Sequence, residues 1–346
     1  MDEKAGLNHR RTELDLLRLT ALLCVVGLHV GSTVWKELPL WTAPWLTATL
    51  LRATWAVPVF VMLSGRFLLD PEKTPRLGRY LARVGAALVF WGVVYQLFYL
   101  AVDWEHYNWK RFAAGVFTGA YHMWYLWMLL GLYALTPLLR PIAGDRRLTE
   151  YFLLLHILWQ ILSYFVPALP VVGNTVSRVL PYWDLSFAGG FPGYYLLGWY
   201  LHAWQPTRKQ KRRLYGIALL CWGICILGNL AITRKTEANT EFFTSYPSPL
   251  LMIQAAAVFV LFEKDLAQAD WAVWVRKLAA FAGRYGFGAY LSHALVNAFA
   301  VRAVGETALA ENPLLWIPAL ACVVTAVSFG LSWLLGKLPG IGGYIA

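Results

Sequence analysis

Residues 10–30 read RRTELDLLRLTALLCVVGLHV, and the interpretation of this stretch decides the fold. From residue 14 to residue 34 the chain is almost wholly apolar. A helix rises 1.5 Å per residue, and about 20 apolar residues suffice to cross a bilayer. Yet the run holds Asp15, Arg18 and His29. Ionisable groups in hydrocarbon are costly, and where they persist they are paired or functional. Eleven residues of helix advance about 1100°, a net offset of about 20°, so Arg18 and His29 share a face. Asp15, three residues before Arg18, joins the same stripe. Arg18 then lies about 6 Å into the span and His29 about 22 Å in.

The rest of the chain has the same character. Of 346 residues, 59% are hydrophobic and 14% charged, with 18 each of Trp, Tyr and Phe. Soluble domains are nearer half apolar and a quarter charged, whereas aromatic belts at the interfaces are a membrane trait. The net charge of +11 sits in short clusters between apolar runs, which argues against a nucleic-acid partner. Cys24, Cys221, Cys225 and Cys322 all lie inside apolar runs, so neither a disulfide framework nor a metal site is expected.

Apolar runs of spanning length fall at 14–34, 45–69, 80–102, 122–140, 150–168, 187–205, 214–233, 247–263, 279–301 and 314–336. The expected fold is an all-α polytopic transmembrane helical bundle of about ten spans, forming one integral-membrane domain over 1–346. With a cytoplasmic N-terminus, the inner segments carry twenty basic residues, from Lys4, Arg10 and Arg11 to Lys337, and the outer segments and ends carry eight. Positive charge favours the cytoplasmic side, so both termini are expected there. The run RKQKRR (208–213) reads as an inner orientation signal against anionic lipid, with an acidic ligand as the alternative.

Each ionisable residue of the first span has two readings. Arg18 can snorkel to the headgroups with Asp15 as its partner, or hold a ligand. His29 can make an interhelical hydrogen bond, or act as a base, since the ordinary imidazole pKa suits general-base work near neutral pH. Ser64 has no acid or His in local sequence to activate it, so covalent catalysis there is not expected.

Arg18 and His29 are separated by ten residues, and this resembles the Arg-x10-His first-span signature of the integral-membrane acyltransferase 3 family. FVMLSGRFLL (60–69) is similar to that family's Phe–Ser–Gly second span. YHMWYLWMLLGLYALTPLLRP (121–141) is similar to its His-x-Trp-Tyr-Leu span, and FGAYLSHALV (287–296) to its Tyr-Leu-x-His span. FPGYYLLGWYL (191–201) and SYPSPLLMIQAAAVFVLF (245–262) resemble the stand-alone O-acetyltransferase branch that includes the enterobacterial-common-antigen O-acetyltransferase. The resemblance covers almost the whole chain in order.

The resemblance implies an O-acyltransferase of the bacterial cytoplasmic (inner) membrane. It would move an acetyl or short acyl group from cytoplasmic acetyl-CoA to a hydroxyl of a cell-surface or lipid-linked glycan. His29 would be the catalytic base, with Arg18 and Asp15 beside it. An extended pantetheine arm of about 15–20 Å, at a little over 1 Å per bond, spans the distance from the inner face to His29. The family's Arg-x-x-Arg pair would bind coenzyme A phosphates. In TPRLGRYLARVG (74–85), Arg76 and Arg79 have the spacing, while Arg79 and Arg83 lie closer to the span, and Arg66 is a fourth candidate. Their bland reading is the inner-charge signal. His122, Trp124, Tyr125, Tyr290 and His293 would shape the acceptor site, or anchor and pair within the bundle. His156 and His202 match no motif and read as structural. Membrane lipids are the expected surroundings, and a homo-oligomer is compatible with the sequence. The main rival is a secondary transporter or flippase with Asp15, Arg18, His29 and His293 as a relay. A non-catalytic partner in glycan assembly is the second.

Overall fold

The computed structural model describes residues 11–106, 108–183 and 185–346. Lys4 and Arg10, counted above among the inner charges, lie outside the described residues. Every element is helical, and no strand occurs among the described residues. In chain order the helices are α1 (Thr12–Trp35), α2 (Ala43–Leu50), α3 (Ala56–Leu68), α4 (Leu77–Val102), α5 (Trp109–Thr118), α6 (Trp124–Gly144) and α7 (Arg146–Gln160). They continue as α8 (Val172–Val179), α9 (Phe191–Ala203), α10 (Arg208–Thr236), α11 (Pro249–Val260), α12 (Val273–Val304), α13 (Glu306–Glu311), α14 (Pro313–Leu335) and α15 (Gly342–Ile345). Helices α7 and α11 each run on into a π-helical turn, Ile161–Phe165 and Leu261–Asp265.

Six helical stretches are long and apolar enough to cross a membrane: Thr12–Trp35, Leu77–Val102, Trp109–Gly144, Arg146–Ala168, Arg208–Thr236 and Pro313–Leu335. The chain is a multi-pass membrane protein of all-α class. Other apolar runs are folded differently from single continuous spans. The run 45–69 is carried by α2 and α3 with a break at 51–55. Pro58 explains the break, because a helix crossing it would lose a backbone donor and clash with the preceding turn. Instead Pro58 sits in the first turn of α3, where its missing N–H costs nothing. Helix α3 is a shorter apolar helix of 13 residues. Helix α12 is longer than the run 279–301 because it begins at Val273 and ends at Gly305, whose φ of 88° stops it.

Helix α1 lies at the centre, packed against α12 and α14 and touching α3. Its residues Leu14, Leu17, Ala21, Val25, Val26 and Val30 are buried. Helices α3 and α9 make the other close pair. A Cβ on Gly65 would overlap the carbonyl of Tyr195, and one on Gly198 would overlap the carbonyl of Met62. The two glycines let the backbones meet, as small residues do where van der Waals packing drives helix association.

Near the start of α1 the bundle is tied by a buried carboxylate. Glu263 accepts from Arg66 Nε at 3.1 and 3.2 Å and from His202 Nδ1 at 2.6 Å. Arg11 adds a contact at 3.5 Å. The π turn after α11 places Glu263 where α1, α3 and α9 converge. Glu263→Ala would leave Arg66 buried with no carboxylate, which costs about 3–5 kcal/mol. We expect a marked fall in the melting temperature of the protein in lipid nanodiscs, smaller for Glu263→Gln. An unchanged melting temperature for Glu263→Ala would remove the pair from the list of structural ties.

Candidate active site

Three histidines from three distant segments meet beside the middle of the bundle. His29 is on α1, His122 on the 3-10 turn Tyr121–Met123 that leads into α6, and His293 on α12. His29 Nδ1 stands 2.7 Å from His293 Nε2. The His122 and His293 rings meet edge to face at 4.8 Å between centroids. Tyr121 packs its edge on His29 at 5.1 Å. His122 and His293 are fully buried, whereas His29 is half-buried. His29 is therefore the most exposed member of the cluster.

The hydrogen bonds fix the tautomers of the neutral rings. His293 Nδ1 faces the Tyr290 carbonyl one turn earlier on α12, and a carbonyl can only accept. His293 Nδ1 therefore carries the proton, and its Nε2 offers a lone pair. That lone pair accepts from His29 Nδ1–H. His29 Nε2 is then left as a lone pair, the form a general base needs. The arrangement is a carbonyl–imidazole–imidazole relay that orients one basic nitrogen.

The α12 segment that carries His293 is itself pinned. Tyr95 of α4 donates to the Leu291 carbonyl at 2.8 Å and accepts from the Leu295 N–H at 3.1 Å. His122 Nε2 lies 3.2 Å from the same Leu291 carbonyl. The Tyr290 hydroxyl returns the contact, donating to the His122 carbonyl at 2.7 Å. Sequence reasoning missed Tyr95, since nothing in its apolar surroundings marks it apart from an interfacial tyrosine.

Next to this cluster is a cavity of about 590 Å³. Tyr125 and Tyr290 form part of its wall, and Tyr290 also touches His293 at 5.4 Å between centroids. His29 itself is not in the wall. Elsewhere the cavity is lined by Arg18, Lys73, Arg83 and Arg284, with Leu22, Leu63, Phe60, Phe287 and Phe329 between. It thus has cationic side chains and a largely apolar body.

The other anticipated residues divide clearly. Arg18 lines the cavity and pairs with buried Asp15 at 2.5 Å. Arg83 lines it too, donating to the Ala346 carbonyl at 2.6 Å and lying over Phe287. Arg76 and Arg79 are exposed and outside the wall, and Arg66 is committed to Glu263. Trp124 packs on Phe191 and Tyr246 at 5.5 Å and lies outside the histidine cluster. Lys73 and Arg284 join the cavity without having been singled out as ligands. Lys73 also bonds Asp70 at 2.8 Å, which holds the Asp70 carboxyl below the usual carboxylate range. No group of three or more His, Cys, Asp or Glu able to hold a metal occurs among the described residues.

A family model described as an acyltransferase domain matches residues 11–333. The chain belongs to that family. No curated protein and no solved structure matches it. The matched region of this membrane acyltransferase takes in α1, the histidine cluster and the full cavity wall.

Proposed function

We propose that this acyltransferase moves an acetyl or short acyl group from cytoplasmic acetyl-CoA to a hydroxyl of a cell-surface or lipid-linked glycan. The setting is the bacterial cytoplasmic membrane, with both chain termini inside, in the manner of the stand-alone O-acetyltransferases. The observation that carries the reading is the relay from the Tyr290 carbonyl through His293 to His29, beside a cavity with cationic lining. The cavity fits the donor by its chemistry: Arg18, Arg83 and Arg284 can face phosphates, and the apolar body suits a pantetheine arm.

In the reaction, His29 Nε2 takes the proton of the acceptor hydroxyl as its oxygen attacks the thioester carbonyl carbon. The C–S bond breaks, the ester forms, and the leaving thiolate takes the proton back from His29. His293 keeps the imidazole oriented throughout. The decisive measurement is transfer of label from acetyl-CoA to glycan by purified protein in nanodiscs. Turnover of the label supports an enzyme, and movement of the unmodified glycan across the bilayer without it would support a flippase instead.

The cationic lining gives a separate test. Arg83→Ala and Arg284→Ala should each weaken acetyl-CoA binding by about tenfold, an effect that fades at high salt. Arg79→Ala, at an exposed position outside the wall, should bind as the parent does. Equal affinity in all three would detach the cavity from the donor.

A further inference from the structure

A second pocket, of about 200 Å³, lies at the other end of α1 from the cationic cavity. Its wall includes Trp35, Arg52, Trp55, Trp222, Thr240 and Glu241. Arg52 organises it. The guanidinium lies 4.0 Å over the Trp35 ring, donates to Ser32 Oγ at 3.1 Å and pairs with Glu241. Ser32 in turn donates to the Leu28 carbonyl at 2.7 Å. Trp35 in the pocket wall lies six positions beyond His29, about 9 Å along the helix axis, and Leu22 in the cationic cavity's wall lies seven positions before it, about 10 Å. His29 therefore stands between the two pockets, at comparable distances along the helix axis.

The lining indicates what would fit. Glu241 offsets the Arg52 charge, so the pocket is not an anion site. Its polar groups argue against a lipid tail. A paired guanidinium and carboxylate present donors and acceptors side by side, and Trp55 and Trp222 add flat apolar faces. A sugar ring needs both, since its hydroxyls donate and accept while its C–H face stacks. The volume is below the 300 Å³ or so of drug-sized sites and suits one ring rather than an oligosaccharide.

We infer that this pocket is the acceptor-sugar subsite, with Arg52, Glu241 and Trp55 holding a ring so that a hydroxyl faces His29. The inference rests on His29 acting as the base. The test measures base-released ester acetate on surface glycan of cells carrying the full chain, and binding of labelled acetyl-CoA by the same protein in nanodiscs. Glu241→Gln and Trp55→Ala should each lower glycan ester acetate about tenfold or more, with acetyl-CoA affinity within about twofold of the parent. Unchanged ester acetate in both variants would overturn the subsite. Parallel loss of acetyl-CoA affinity would also overturn it, by making the pocket a structural support. Failure of the underlying reading shows elsewhere: His29→Ala would then keep its ester acetate, or the parent would form none.

Discussion

His29→Ala is expected to lower acyl transfer by roughly 10²–10⁴-fold, the usual worth of a positioned general base. Acetyl-CoA binding and the melting temperature should stay close to the parent values, because His29 is half-buried and gives only one hydrogen bond to the relay. Transfer within tenfold of the parent would exclude His29 as the base. His293 acts through His29, so its test needs a readout beyond activity. His293→Ala removes the acceptor for His29 Nδ1–H, whereas the amide oxygen of His293→Gln can still accept. Partial rescue by glutamine, with a displaced pH–rate profile for alanine, would mark a positioning role. Equal loss in both variants would point to packing alone.

A second large structural effect is expected at Gly65 and Gly198. A methyl group at either would meet a backbone carbonyl of the facing helix, Tyr195 or Met62. A carbonyl in a packed helix pair cannot swing aside as a side-chain tip can, so α3 and α9 must separate. We expect Gly65→Ala and Gly198→Ala each to cost about 3 kcal/mol, the upper range for overpacking. Gly131→Ala is the control, since a Cβ there meets nothing within 4 Å and alanine is the better helix former. Thermal unfolding in nanodiscs should fall sharply for the first two and hold for the third. If all three behave alike, the close approach carries no stability.

The histidine contact was within reach of sequence reasoning only in part. The span around His29 was legible because a long apolar run with one polar stripe has a single low-energy form in a bilayer. The face shared by Arg18 and His29 followed from helical geometry alone. That His293 would reach His29, and His122 would reach His293, did not follow, because residues so far apart in sequence meet only through packing of α1 against α12 and of the Tyr121–Met123 turn beside them. Resemblance placed both histidines near an acceptor, and only the fold showed His293 bonded to His29 with His122 packed on His293. The charged candidates were harder. Arg66, Arg76, Arg79 and Arg83 share one charge and one neighbourhood in sequence. Burial separates them, turning Arg66 to Glu263 and Arg83 toward the cavity. Arg284 was hidden by the inner-charge pattern, which explains any basic residue near a span end equally well.

Tyr290 and its ring neighbours also bear on how donor and acceptor meet. Two pockets at opposite ends of one span make a shape that differs from a channel only by what lies between them. Here the interval is filled by Tyr125, Tyr290 and the buried histidines, interlocked through the Tyr290–His122 hydrogen bond. The two pockets share no lining residue. The rings that orient the base therefore also keep the two pockets apart, so thioester and hydroxyl meet only where these rings give way.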